Sequence, residues 1–187
     1  MQATQTLSIP RGRALARDAA LVGGFAALTA LAAKVAIPLP WTPVPATLQV
    51  AAVMLAGAVA GPWRGALSQI LVLALGFCGL PMFADSTMAG PAVVTLASFG
   101  YLLAFPVAAW LAGRWTGKAS RWLGAGAGLL TIYALGSLWL VGWTLLSGQP
   151  ATLGWTLWAG VLPFLPLDLL KTTLAVGTAI PLRKRLG

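Results

Sequence analysis

Asp168 and Lys171 stand three residues apart in an apolar run, a spacing that puts both side chains on one face of a helix. Such a pair can neutralise itself as a structural ion pair. It can also serve a ligand, the carboxylate accepting N–H bonds and the ammonium donating to an oxygen. Two further charges stand apart from the rest, Lys34 and Asp85. Lys34 lies near the end of a long apolar run and reads as a side chain snorkelling to an interface. Asp85, among Gly, Pro and Ser, can cap a loop turn. Thr42 and Gln49 flank a proline-rich segment and are weaker candidates for ligand contact.

Other chemistries are missing from the residue inventory. The 187 residues contain no His, Glu or Asn. A Ser-His-Asp triad, an HExxH zinc site and a Glu proton relay are therefore excluded. No enzyme, metal site or cofactor is expected. The lone Cys78 reads as a small buried hydrophobe. Gly113 to Ala119 imitates a phosphate loop, yet it is one residue short and ends in Ala where Ser or Thr should hold Mg²⁺.

The elements that must position the four charges are membrane helices. Charged residues make up 8% of the chain and apolar ones 59%, against about 25% charged in ordinary soluble domains. The apolar runs are long and continuous, which favours helices over the alternating segments of a barrel. They predict spans over residues 14–37, 46–60, 66–80, 92–112, 122–146 and 166–182, in one domain covering residues 1–187. Four prolines within residues 38–45 forbid a helix between the first two spans. Pro163 and Pro166 break the last stretch, so residues 153–165 are expected as a short interfacial or re-entrant segment.

Charge position then orients the chain. Of 12 Lys and Arg, ten lie at the N-terminus (Arg11, Arg13, Arg17), in the turn after the second span (Arg64), in the loop after the fourth (Arg114, Lys118, Arg121) and in the tail (Arg183, Lys184, Arg185). Six spans put all ten on one side, and the positive-inside rule makes that side cytoplasmic, with both termini. The net charge of +9 therefore marks a membrane face, not a nucleic-acid site. Asp18 is expected to pair with an arginine near it. Lys34, Asp85, Asp168 and Lys171 all gather toward the outer half, where charge costs less than at a helix centre, about 2.5–3.5 kcal/mol there on the milder scales.

The segment Ile37-Pro38-Leu39-Pro40-Trp41-Thr42-Pro43-Val44-Pro45-Ala46-Thr47-Leu48-Gln49 resembles the signature of the BioY proteins, the biotin-binding S components of energy-coupling-factor (ECF) transporters. Leu55-Ala56-Gly57, Gly61-Pro62-Trp63-Arg64-Gly65 and Gly79-Leu80-Pro81-Met82-Phe83-Ala84 follow in the family's order. So do Phe99 to Pro106 and Pro163 to Lys171. The resemblance covers residues 15–185. Two departures stand out: Leu167 replaces a usual Gly, and Ser98-Phe99-Gly100-Tyr101 stands where relatives have Thr-Gly-Gly-Tyr. No basic residue accompanies that stretch, although some relatives have one.

The resemblance implies an all-α integral membrane protein with six transmembrane helices, an S-component-like bundle and cytoplasmic termini. It implies biotin bound near the outer face and uptake through the inner (plasma) membrane of a bacterium or archaeon. Asp168 and Lys171 are implied as ligand contacts, and Asp85 as a further one. Biotin has a ureido ring, a thiophane body and a carboxylate tail. Trp41, Phe83 and Tyr101 suit the ring body as apolar walls, and Thr42 stands beside them. The partners implied are biotin, membrane lipid and an ATP-hydrolysing ECF module with a transmembrane coupling subunit. Small residues on the first helix, Gly12, Ala16, Ala20 and Gly24 in one row and Ala19, Gly23 and Ala27 in another, serve either that partner or packing within the bundle. A stand-alone ion-coupled carrier, or an S component for another vitamin, is the alternative.

Overall fold

Proline and glycine decide where these apolar helices begin and stop. The computed structural model describes residues 11–85, 88–115, 117 and 120–186. Lys118 lies outside the described residues, as do the side chains of Arg11, Lys184 and Arg185. Helix α1 runs Arg11–Lys34 and ends three residues before the expected Ile37. The reason is a small antiparallel pairing of β1 (Ala36–Ile37) with β2 (Ala46–Thr47), Ala36 opposite Thr47 and Ile37 opposite Ala46. Prolines lack the N–H a ladder needs, so the pairing stops where Pro38 and Pro45 begin the loop between them. Helix α2, Gln49–Ala60, accordingly starts three residues later than expected.

Gly61, at φ 87°, ends α2 and admits Pro62 as the first residue of α3, Pro62–Phe77. Proline suits that position because its missing N–H would be unpaired there; this moves α3 four residues earlier than the expected start. A 3₁₀ turn covers Gly90–Thr95, and α4 (Phe99–Arg114) begins seven residues after the expected Ala92. Helix α5 spans Ser120–Leu146. The stretch expected as a short interfacial or re-entrant segment contains a short helix α6, Leu153–Gly160, whose Thr152 hydroxyl caps it by accepting from Trp155 N at 3.2 Å. Helix α7, Leu165–Leu186, carries Pro166 in its first turn.

Three helices among the described residues are long and apolar enough to cross a membrane, Gly12–Lys34, Ser120–Leu146 and Leu165–Arg183. Helix α2 has 12 residues, about 18 Å at 1.5 Å per residue. Helix α4 sits at the centre, packed on α2, α3 and α5, while α2 also lies along α7 and α1 covers α2 and α3. Glycine makes the central approach possible. A Cβ built at Gly57 would meet the Ala109 carbonyl oxygen at 2.0 Å, and one at Gly113 would meet the Gly57 oxygen at 2.6 Å. Helix α1 is tied at its start by Asp18, whose Oδ1 pairs with Arg64 Nε of α3 at 2.7 Å. Asp18 was expected to pair with an arginine near it in the chain; this partner, Arg64, is on a neighbouring helix.

Replacing Gly57 by Ala is expected to cost at least about 1–3 kcal/mol, because the colliding atoms are backbone and cannot rotate away. Gly126→Ala, with open space around its Cβ position, is the control. Thermal unfolding in detergent should separate the two, with the midpoint lowered only for Gly57→Ala.

Candidate functional site

The first turn of α7 is held by a hydrogen bond from Asp168 N to Phe164 O at 2.8 Å, and it turns Asp168 inward, 6% exposed. Both carboxylate oxygens are engaged. Oδ1 accepts from Lys171 Nζ at 2.9 Å, and Oδ2 accepts from the Tyr133 hydroxyl of α5 at 2.9 Å. Lys171, 8% exposed, also donates to Thr47 O of β2 at 2.7 Å. A buried charge pair is tolerated only when its remaining valences are met, and here α5, α7 and β2 meet them jointly. Thr47 in turn accepts from Gln49 N at 3.2 Å and donates to Gln49 Oε1 at 3.3 Å. Gln49 is 3% exposed, and its Nε2 has no hydrogen-bond partner.

These groups border a cavity of about 300 Å³, at the small end of the roughly 300–1,000 Å³ of small-molecule pockets. Asp168, Asp85, Thr42, Gln49, Tyr133, Tyr101 and Phe83 all line it. Thr42 donates to Ala159 O of α6 at 2.7 Å and accepts from Val44 N, which pins the proline loop over the cavity. The Tyr101 hydroxyl donates to Gly160 O at 2.9 Å, and its ring occupies the space that Gly136 leaves without a side chain. Phe83 fills the corresponding space beside Gly76. Lys34, expected to snorkel, is exposed and donates to Phe83 O at 2.7 Å.

Two expected contacts are placed differently. Lys171 stands behind Asp168 and is not among the lining residues. Trp41 is 48% exposed and lies outside the cavity, edge-on to Trp158 with ring centroids 6.5 Å apart. Its neighbour Thr42 takes the inward position through the bond to Ala159, so Trp41 faces away, against α6. Tyr133, which lines the cavity and donates to Asp168, was not among the expected site residues. One signal for it exists: the chain has two tyrosines, and both line this cavity. A larger groove of about 680 Å³ between α4 and α5 is lined by Leu, Trp, Gly, Val, Thr and Ser without an ionisable group, so the charged cavity is the better candidate.

The site offers acceptors and donors fixed on apolar walls. A carboxylate has about four lone-pair positions; two are used at Asp168, which leaves room for ligand N–H groups. The Gln49 amide nitrogen complements these as a donor to a carbonyl. Fold and cavity together define a membrane-embedded binder of a small polar solute. The chain matches the crystal structure, at 2.1 Å, of the S-component for biotin from an ECF-type ABC transporter, with a TM-score of 0.81 and 25% identity over 95% of each chain. Residues 2–187 match the BioY family, and the chain belongs to that family. Among its relatives, the probable biotin transporter BioY of Pyrococcus horikoshii is 39% identical over 86% of this chain and 93% of its own. The biotin transporter BioY of Rhodobacter capsulatus is 41% identical over 83% and 87%.

Removing one member of a buried ion pair strands the other, typically at about 3–5 kcal/mol. Lys171→Met should therefore lower the thermal midpoint in detergent markedly. Adding Asp168→Asn to it should restore part of the loss, since the stranded charge is then gone. A double variant as unstable as the single one would contradict the ion-pair reading.

Proposed function

We propose that this chain is the substrate-binding S component of an ECF-type biotin transporter, taking biotin at the outer face and delivering it inward with an ATP-driven module. The observation that carries the reading is Asp168, fixed between Lys171 and Tyr133 at the wall of the one cavity described above that holds ionisable groups. In this reading Asp168 accepts the ureido N–H groups, with Lys171 holding it in place, and the Gln49 amide donates to the ureido carbonyl. Phe83 and Tyr101 enclose the thiophane body; Asp85 and Thr42 complete the polar wall. Family membership and the relatives' names support the choice of biotin.

In this proposal α1 to α5 and α7 are the six spans, α6 lies at the outer interface, and both termini are cytoplasmic. The ten cations that six spans put on one side by sequence support that orientation, in the inner membrane of a bacterium or archaeon. The short α2, α3 and α4 span by packing on one another and on the longer helices. For the partner, α1 presents a bare row: Ala16, Ala20, Gly23, Gly24 and Ala27 are all exposed, and nothing lies within 4 Å of a Cβ built at Gly23 or Gly24. Packing within the bundle does not use these residues, which favours docking of the transmembrane coupling subunit there.

Asp168→Asn should weaken biotin binding at least about tenfold, or 1.4 kcal/mol, by titration calorimetry in detergent. Lys171→Ala should do the same through the loss of Asp168's anchor. Unchanged affinity in both would remove the site assignment. For the docking row, Ala20→Trp should abolish co-purification with the energising module while biotin affinity in detergent stays as it was. Retained assembly would place the partner elsewhere.

A further inference from the structure

A bound biotin carries its carboxylate into a largely apolar cavity, and an anion there requires a cation or several N–H donors. The described arginines stand at the opposite helix ends: Arg13 and Arg17 open α1, Arg64 opens α3, Arg114 closes α4, Arg121 opens α5 and Arg183 lies in the last turns of α7. Lys171 is already bonded to Asp168 and Thr47. Lys34 remains. It is the last residue of α1, where the helix dipole favours a cation; it is exposed and stands outside the cavity lining, with its ammonium 2.7 Å from the carbonyl oxygen of Phe83, which does line it. Phe83, Ala84 and Asp85 form one wall of the cavity. An ammonium has three N–H donors, and Phe83 takes one; among the described residues Lys34 makes no further hydrogen bond or ion pair.

We propose that Lys34, aimed by the Phe83 carbonyl, is the cation that pairs with the carboxylate tail of the ligand. This rests on the biotin reading above and deepens it by assigning the tail. The ureido end then sits at Asp168, and the tail runs along the Phe83 to Asp85 wall to the end of α1. Recognition of the vitamin is divided between two ends of the cavity, and its charge is read by α1. That helix is also the one whose bare small-residue row faces outward.

Binding of biotin and of biotin amide, whose tail is neutral, to the full chain in detergent tests this. The unaltered chain should bind biotin at least about tenfold more tightly than the amide, as expected for a charge-assisted pair. Lys34→Met should reduce biotin affinity to that of the amide and leave the amide's own affinity within about twofold, which also shows that the variant is folded. Lys34→Arg should keep most of the preference for biotin. Equal weakening of both ligands by Lys34→Met would make Lys34 a support for the Phe83 wall and overturn the assignment. So would equal binding of biotin and its amide by the unaltered chain, with the biotin reading intact. No binding of either ligand by the unaltered chain would fell the biotin reading, and this inference with it.

Discussion

A carboxylate buried between helices is the constraint around which the rest of this protein is arranged. Asp168 sits where ionised oxygen is expensive, and the chain answers with three elements at once. Lys171 comes from the next turn of the same helix, Tyr133 from α5, and Thr47 holds Lys171 from the loop side. None of the three is sufficient alone. The lysine cancels the charge, the tyrosine occupies the second oxygen, and the Thr47 carbonyl fixes the direction of the ammonium. The cavity exists beside Asp168 because this arrangement satisfies the carboxylate from behind and leaves part of its accepting capacity on the open side.

The surrounding packing follows from the need to bring α2, α5 and α7 together at that point. Helix α2 is too short to act by itself, and it reaches α4 at backbone distance because Gly57 and Gly113 have no side chains. Larger residues would push the helices apart, and Thr47 of β2 and Gln49 at the start of α2 would leave Lys171 and the cavity with it. The same device recurs near the ligand groups. Gly136 admits the ring of Tyr101 and Gly76 that of Phe83, so the aromatic walls are seated against helix backbone.

Much of this was legible in the sequence, and what was not has a physical reason. Asp168 and Lys171 announced themselves because charge is rare in an apolar chain, and Pro38 to Pro45 because prolines cannot continue a helix. Both rest on strong local penalties. Tyr133 carried no such penalty: a tyrosine suits a membrane helix whether or not its hydroxyl binds a carboxylate. Trp41 and Thr42 are neighbours in the same motif, and only the bond from Thr42 to Ala159, 117 residues away, decides which one faces the cavity. The Asp18 to Arg64 tie and the Lys34 to Phe83 contact are likewise long-range. Spacing along the chain says nothing about partners on another helix.

Leu167 and Phe99, where the chain departs from the family pattern, both lie outside the cavity. Leu167 precedes Asp168 but points away from it, 42% exposed, and is absent from the cavity wall. A side chain there meets the surroundings of the helix and not the ligand. Phe99 is buried outside the cavity, its ring edge-on to Phe77 at 5.9 Å and to Trp139 at 5.1 Å. It thereby joins α3, α4 and α5 through aromatic contacts of the favourable perpendicular kind. Ser98 and Tyr101, the members of that stretch that keep a hydroxyl, do line the cavity. Gly100, between them, cannot change, since a Cβ would lie 2.1 Å from the side chain of Trp139 and 2.7 Å from the Leu135 oxygen. Leu167 and Phe99 therefore lie away from the cavity, and Ser98 and Tyr101 border it.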